Sequence, residues 1–259
     1  MSMAAHAWTF ACCMALSPSL AMAECRGASR GVRLPVVELY TAEGCNECPA
    51  ADRWLSALAA KPQDRPALLA LHVDYWDEIG WPDRFAAALH GKRQEARVML
   101  SGKRVVYTPQ VMIGEHTNVD WRDRTQVTER LRDAGATPPP LDLAVVVDRR
   151  DGALQIAFTG ELRDAAAAQS RPLVWFALYQ DGLTSHVKAG ENKGLTLRHD
   201  RVVRSLQGPF RWEGTRLTAN ARVPLPAEEG PLGVVVFAES SLTGAGLQAI
   251  DLPLSACLR

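Results

Sequence analysis

The sequence predicts an α/β domain followed by a smaller antiparallel β-sandwich-like domain, and three observations support this division. Up to residue 137, buried apolar runs alternate with stretches of helical apolar spacing, as in strand–helix units. After residue 140, about seven short Val- and Leu-rich runs are separated by Gly, Pro and Asp, as in an antiparallel sandwich. Thr137–Pro140 is a proline-rich joint between them, which cannot continue a helix. We therefore expect domains at residues 24–137 and 138–259.

Residues 1–23 are predicted to be a cleaved signal peptide. They contain no Asp, Glu, Lys or Arg, and an apolar run at residues 7–16 is followed by Pro18 and a small-x-small sequence at residues 21–23, as a signal peptidase requires. The alternative is an anchor helix, but the run is shorter than the roughly 20 residues that span a bilayer. We therefore expect a periplasmic or secreted mature protein that begins at Glu24.

The first domain is predicted to contain four strands and three helices. In the first helix, Trp54, Leu55 and Leu58 lie on one face, and Pro109 separates two short strands. The predicted strands cover residues 34–40, 67–73, 105–107 and 110–113, and the helices cover residues 50–60, 83–98 and 124–134.

The second domain is predicted to contain seven strands, each bounded by turn-forming residues. The run of alanines at residues 165–168 indicates a loop or a short helical insert. The predicted strands cover residues 141–148, 153–159, 173–180, 201–206, 216–223, 232–238 and 247–254.

Composition excludes several classes of protein. Of the 259 residues, 47% are apolar and 22% are charged, which excludes a disordered chain. Lys and Arg number 29, as do Asp and Glu, so no net field attracts a nucleic acid. We expect no nucleic-acid partner, and no segment after the signal peptide is long and apolar enough to span a membrane.

Four of the six cysteines remain after signal cleavage, and four cysteines allow three pairings. Cys45 and Cys48 are close enough to form a small redox loop. Cys25 and Cys257 then remain near opposite ends of the mature chain, and chain termini often lie close together. We therefore predict a structural disulfide between Cys25 and Cys257; the alternative is that they stay unpaired or bond to other chains.

The segment Val36–Pro49 is the most informative for chemistry. A strand runs into a turn, and a Cys-x-x-Cys sequence then opens a helix. Cysteines three apart on a first helical turn can form a disulfide, and the positive end of the helix favours a thiolate, the species that attacks a disulfide. We therefore predict that Cys45 is an exposed attacking thiol and that Cys48 is a buried resolving thiol.

A Cys-x-x-Cys pair is ambiguous by itself. Such a pair can provide two of the four ligands of a zinc site, but the matching second pair of cysteines or histidines is absent from the sequence. Two thiolates also hold Cu(I) or another soft metal, and the pair can be an inert structural disulfide. These last two possibilities remain open at the level of the motif.

Several further motifs occur in a fixed order with the dithiol. They are Val36–Pro49, His72–Asp77 with Gly80-Trp81, Arg93-Gln94, Tyr107–Gln110, Gly190–Gly194, His199-Asp200 and Val202–Arg204. In these motifs the chain resembles the bacterial secreted thioredoxin-like family catalogued as domain of unknown function 1223. The resemblance implies an exported thioredoxin fold joined to a small β-rich domain, with a candidate redox dithiol and no known substrate. The chain departs from the family after Arg93-Gln94, where Ala96 and Arg97 stand in place of an expected aromatic.

The resemblance also implies a substrate groove beside the dithiol. In thioredoxin-like folds a cis-proline lies against the dithiol, and we expect Thr108 and Pro109, with a cis bond between them, to orient the substrate. Trp76 and Trp81 follow a strand end, where α/β folds place their sites. They are predicted to form an apolar wall of the groove; the alternative is a packed loop with capping carboxylates.

Other polar residues modify this prediction. Glu43 and Glu47 flank the dithiol and should raise the pKa of its thiols, which opposes the effect of the helix end. His72 lies in a buried run and is expected to be a core residue. Three hydrogen-bonding residues of the second domain form either a binding or interdomain site or a turn network that holds two strands: Glu191, Asn192 and His199.

The sequence therefore predicts an exported thiol–disulfide oxidoreductase that needs no cofactor. Its expected partners are a disulfide-containing protein or small thiol as substrate, and a separate redox partner. The alternatives are a periplasmic copper-binding or carrier protein that uses the same dithiol, and a non-catalytic interaction protein.

Overall fold

A computed structural model of the protein describes residues 24–61 and 65–258. The predicted signal peptide lies outside the described residues. The α-helices are α1 (Cys48–Ala59), α2 (Ala88–Leu100) and α3 (Arg124–Ala136), and short 3-10 helices cover Asp74–Ile79 and Ala165–Ser170. The strands are β1 (Glu24–Ala28), β2 (Val36–Thr41), β3 (Ala67–His72), β4 (Gln110–Ile113), β5 (His116–Val119), β6 (Leu141–Arg150), β7 (Ala153–Leu162), β8 (Pro172–Gln180), β9 (Leu183–His186), β10 (Thr196–His199), β11 (Val202–Phe210), β12 (Arg216–Pro224), β13 (Leu232–Ser240) and β14 (Gly246–Pro253).

A mixed sheet of eight strands, in the order β14-β13-β8-β11-β3-β2-β4-β5, runs through the molecule. β2 and β3 are parallel, and β4 is antiparallel to β2. β11 is parallel to β3, with Val202 opposite Ala70, and this pairing joins strands from the two predicted domains. The proposed boundary after residue 137 follows α3, but the sheet continues across it.

A second, four-stranded antiparallel sheet, β1-β6-β7-β12, packs on β8, β13 and β14. Buried aliphatic and aromatic side chains from both sheets form one core, in which the rings of Phe158 and Phe176 stack with centroids 6.4 Å apart. The alternating burial along β6 reflects a strand with one face on a core and one in solvent. The disulfide Cys25–Cys257, which was predicted from the sequence, forms at this core.

The helices cover the two faces of the strands that come from the first part of the chain. Val37 and Leu39 of β2 pack with α1 and α3 on one face. Because strand side chains alternate, Glu38 and Tyr40 point to the opposite face, where α2 lies. Asp123 begins α3 by accepting hydrogen bonds from the N–H groups of Thr125 and Gln126, the usual role of an N-cap aspartate.

A buried charged network holds α2 on the sheet. The guanidinium of Arg93 binds Glu38 of β2 at 2.5 Å and Glu239 of β13 at 2.7 Å. Arg97 binds Glu239 at 2.8 Å, so the residue that departs from the family pattern belongs to this network. Although burial opposes ionisation, Arg93 and Arg97 lower the pKa of Glu239 to about 2. Since Glu38 and Glu239 come from different predicted domains, removal of Arg93 would leave Arg97 as the one guanidinium of this network that balances both buried carboxylates.

Two element predictions in the first domain are wrong. Residues 105–107 form no strand, and Val105 is 70% exposed, although Val106 packs against the core. α2 begins at Ala88 rather than at Asp83, because the carboxylate of Asp83 instead accepts hydrogen bonds from the N–H groups of Glu43 and Phe85. Within the described residues, no helix is long and apolar enough to cross a membrane.

Candidate functional site

The dithiol lies between the end of β2 and the start of α1. The turn is closed by hydrogen bonds from the N–H of Cys45 to the carbonyl of Ala42 and from the N–H of Cys48 to the carbonyl of Cys45, each 3.2 Å long. Pro49 occupies the first turn of α1, where the absence of an N–H costs nothing. Cys45 and Cys48 form a disulfide, with their Cα atoms 5.4 Å apart. The sequence therefore located this bond correctly, but only Cys48 belongs to α1, and Cys45 lies in the turn before it.

The prediction that Cys45 is exposed is wrong. Cys45 is 2% exposed, and Cys48 is fully buried. Residues 190–194, here called the cover loop, lie over the dithiol turn. The side-chain amide of Asn192 donates hydrogen bonds of 2.8 Å to the carbonyls of Glu43 and Cys45, and the carboxylate of Glu191 accepts one of 3.0 Å from the N–H of Asn46. The loop thus contacts the dithiol segment, and its own backbone hydrogen bonds also form a turn network between β9 and β10, so both interpretations of this loop describe part of its structure.

The two tryptophans that were predicted to line a groove pack around the same turn. A Cβ atom on Gly44 would lie 3.7 Å from the Cβ of Trp76, so the indole of Trp76 lies beside the dithiol turn. The indole N–H of Trp81 donates a 2.7 Å hydrogen bond to the carboxylate of Glu43. Gly190 has a φ of +71° and approaches Trp81 closely, which explains the glycine at the start of the cover loop. Both tryptophans thus help to enclose the dithiol.

The Thr108–Pro109 peptide bond is cis, as predicted. Gln110 is paired with Tyr40 in the sheet, so this bond lies at the end of β2 from which the dithiol turn departs. Pro109 is buried, and the hydroxyl of Thr108 is buried without a hydrogen-bond partner among the described residues. Thr108 and Pro109 therefore lie at the same edge of the sheet as Cys45 and Cys48.

A buried imidazole from the second half of the chain lies between two carboxylates of the dithiol segment. In His199, Nε2 is 3.2 Å from Glu43 Oε1 and Nδ1 is 3.5 Å from Asp52 Oδ2. Burial favours the neutral ring, but the contacts with Asp52 and Glu43 prevail and raise the pKa of His199 to about 9. Although burial also opposes ionisation of Glu43, the contact with His199 lowers the pKa of this carboxyl.

A second buried histidine–carboxylate pair, His72 with Asp83, packs against His199. His72 Nδ1 is 2.6 Å from Asp83 Oδ2, and the rings of His72 and His199 meet edge to face with centroids 5.1 Å apart. Burial raises the pKa of Asp83, but the charge and hydrogen bond of His72 outweigh it and bring the pKa to about 2. Asp83 also accepts the N–H of Glu43 at 2.9 Å. His72 is thus a core residue, as expected, and its partner fixes the backbone two residues before Cys45.

Sequence analysis missed Asp52 and Asp83 as members of this cluster. Asp52 follows Cys48 by one helical turn and occupies the buried face of α1, where an apolar residue is the usual choice. The aspartate at this apolar position of the helix was the signal in the sequence that could have identified Asp52 as a member of the cluster. Among the residues that the structure describes, no three His, Cys, Asp or Glu side chains converge to hold a metal ion. The arrangement places a disulfide next to buried ionisable side chains.

Comparisons with known proteins bear on the family and the fold. The profile of the family described as "Protein of unknown function (DUF1223)" matches residues 36–239. The chain is also similar to the crystal structure of a structural-genomics target from Agrobacterium tumefaciens, with 23% sequence identity and a TM-score of 0.59, over 84% of this chain and 93% of that chain. No curated protein matches the chain.

Proposed function

Because the chain belongs to the family described as "Protein of unknown function (DUF1223)", whose description names no activity, we propose a function from the site itself. The protein is a thiol–disulfide oxidoreductase that acts through Cys45 and Cys48 on a protein or small-molecule disulfide in the periplasm or outside the cell. The observation that carries this proposal is a disulfide that joins the turn before α1 to the first residue of that helix, near buried ionisable groups.

The arrangement around the dithiol supports a thioredoxin-like fold. The strands follow the order β3-β2-β4-β5, with β2 and β3 parallel and the other pairs antiparallel. α1 and α3 pack on one face of these strands and α2 on the other. Such a core places a dithiol at the start of its first helix and a cis-proline before the third strand, which are the positions of Cys45, Cys48 and Pro109.

The proposed exchange needs only the two sulfurs and an external thiol couple. In the reduced protein, the Cys45 thiolate attacks a substrate disulfide, forms a mixed disulfide and releases the first substrate thiol. Cys48 then attacks Cys45, which releases the second substrate thiol and restores the bond between Cys45 and Cys48. The substrate gains two electrons and two protons, and the dithiol loses them. An external reductant must return them, and the reverse sequence inserts a disulfide.

Access to Cys45 requires the cover loop to move. The loop is held to the dithiol turn by two hydrogen bonds from Asn192 and one to Glu191. A typical hydrogen bond contributes about 0.5–1.5 kcal/mol net, so these three are far weaker than the whole fold. Displacement of the loop can therefore occur without global unfolding, and the covered form is the resting oxidised state in this proposal.

The experiment compares Asn192→Ala with Asn220→Ala, a control at an exposed position on β12. Reduction of the Cys45–Cys48 bond by dithiothreitol is followed by alkylation and mass spectrometry, and insulin reduction is followed in parallel. Loss of the Asn192 contacts should accelerate reduction about tenfold, as the release of roughly 1.4 kcal/mol predicts. Asn220→Ala should match the wild type, and Cys45→Ser should abolish insulin reduction.

Two results would contradict the proposal. If the bond is reduced only at the rate of global unfolding in both asparagine variants, Cys45–Cys48 is an inert structural disulfide. If the reduced protein binds Cu(I) stoichiometrically and shows no insulin reduction, the dithiol belongs to a metal carrier.

A further inference from the structure

The β-rich part of the chain supplies a cation to the surroundings of the dithiol. His199 ends β10, which pairs only with β9 in a small two-stranded sheet. That hairpin does not pair with the large sheet, and its last residue is buried against α1 and the turn after β2. The position of His199 is therefore explained by its contacts with the dithiol segment and not by the regular pairing of the sheets.

The charges near His199 are unbalanced without it. Glu43 precedes Cys45 by two residues, and Asp52 follows Cys48 by four, which places it one helical turn further on the same face. Both carboxylates are buried. The third acid of the cluster, Asp83, has its own partner in His72 at 2.6 Å, and Phe85 supplies only an apolar edge to His199. His199 is therefore the cation that lies between Glu43 and Asp52, and its single positive charge offsets part of their combined negative charge.

The ring nitrogens of His199 are long or poorly angled for ideal hydrogen bonds, so electrostatic attraction contributes to these contacts as well. Its two ring nitrogens are 3.2 Å and 3.5 Å from the two carboxylates, and neither nitrogen meets the angular requirements of a hydrogen bond. Glu43 Oε1 is likewise buried without a hydrogen bond. Electrostatic attraction survives such imperfect geometry, because it depends on distance and on the low local dielectric constant.

Reduction of the disulfide changes this balance. A dithiol donor transfers two electrons to Cys45–Cys48, and where one thiol stays ionised the pair takes up one proton and gains one negative charge. That charge arises on cysteines that are two and four residues along the chain from the buried carboxylates of Glu43 and Asp52. A neighbouring cation stabilises a thiolate, and neighbouring anions destabilise it.

We propose that His199 tunes the dithiol, by raising the reduction potential of the Cys45–Cys48 pair and the acidity of its thiols across the junction between the two parts of the chain. His199 is a positioning residue in this scheme and does not touch the substrate. The importance of such tuning for exchange rests on the proposed function, but the potential itself is measurable without any substrate.

The test uses three charge-changing variants of the full chain. His199→Gln removes the cation and should make the pair harder to reduce. Glu43→Gln removes an anion, keeps an oxygen for the N–H of Trp81, and should make it easier to reduce. The double variant should return close to the wild type. His186→Gln, on the exposed end of β9, is the matched control.

Two measurements report the effect. The equilibrium with glutathione, quenched by alkylation, gives the redox equilibrium constant, and the rate of iodoacetamide modification against pH gives the thiol pKa. We expect each single variant to shift the equilibrium constant at least tenfold, which is 29.6 mV for two electrons, in opposite directions. The thiol pKa should rise with His199→Gln and fall with Glu43→Gln.

The decisive result is that the two single variants shift the redox equilibrium constant and the thiol pKa in opposite directions. If His199 only filled space, both single variants would loosen the site and shift its properties in the same direction, and that result would overturn the proposal. Should His199→Gln fail to fold, the double variant carries the test, because it must then fold and lie closer to the wild type than Glu43→Gln does. If the wild type does not reduce insulin, the proposed function is rejected. The shifts in reduction potential and thiol pKa of the variants still test the role of His199, because they need no substrate.

Discussion

The two disulfides of this protein have the same span and very different surroundings. In each, the Cα atoms are 5.4 Å apart, but one bond joins cysteines 232 residues apart and the other joins cysteines three residues apart. Cys25 and Cys257 pack in the aliphatic core between the two sheets. Cys45 and Cys48 lie at the start of α1, close to a buried cluster of two imidazoles and three carboxylates.

This difference suggests different roles for the two bonds, one in the stability of the fold and the other in electron transfer. A disulfide stabilises a fold largely by restricting the unfolded chain, so its contribution grows with the length of the loop that it closes. By that relation the Cys25–Cys257 bond contributes about 5 kcal/mol and the Cys45–Cys48 bond only about 1–2 kcal/mol. The short bond therefore does little for stability, whereas its charged surroundings affect its electron transfer directly.

The largest expected effect is on turnover. Cys45→Ser or Cys48→Ser should lower the rate of insulin reduction at least a hundredfold, because each sulfur takes part in bond exchange. Cys257→Ser should leave that rate within about twofold, since its core lies on the far face of β8 and β13 from the dithiol. Equal losses from both disulfides would show that the assay reports folding and not chemistry.

The effect on stability should follow the opposite order. Removal of the long-range bond, by Cys25→Ala with Cys257→Ala, should lower the free energy of unfolding by about 5 kcal/mol, and removal of the short bond by about 1–2 kcal/mol. Urea denaturation of the two double variants measures both values. A larger loss for the Cys45–Cys48 variant would mean that this bond is mainly structural, and the comparison between the two disulfides would fail.

Local sequence signals predicted much of the site. The Cys-x-x-Cys spacing and Pro49 located the bond at the helix start. This signal depends on residues that are neighbours in the chain. The cis bond before Pro109 was expected from the resemblance to thioredoxin-like folds, and the structure contains it.

Long-range contacts account for what the sequence did not predict. Cys45 is buried because Asn192, almost 150 residues further along the chain, covers its turn. No periodicity reports such a contact. Likewise, β11 reads as a strand of a separate sandwich, but its parallel pairing with β3 extends the first sheet. Hydrophobic patterns specify which residues are buried, and they do not specify which strands become neighbours.

The smallest expected effect is a pH dependence of stability that only one of the two disulfide regions should show. The pKa of His199 is about 9 in the folded protein, against an ordinary value of 6.5. A raised folded-state pKa means that the folded protein holds the proton more tightly. This contribution to the free energy of unfolding is therefore complete below about pH 6.5 and is lost as the pH rises through about 9.

The melting temperature of the oxidised wild type should thus fall by a few degrees between about pH 7 and pH 10. Part of that fall in melting temperature should disappear in His199→Gln and remain in His186→Gln.

The aliphatic residues around Cys25–Cys257 do not titrate, so the alanine variant of that pair should keep the full pH dependence at a lower melting temperature. An unchanged pH profile in His199→Gln would show that the ring is neutral when buried, and the charged surroundings that distinguish the two disulfides would then consist of the carboxylates alone.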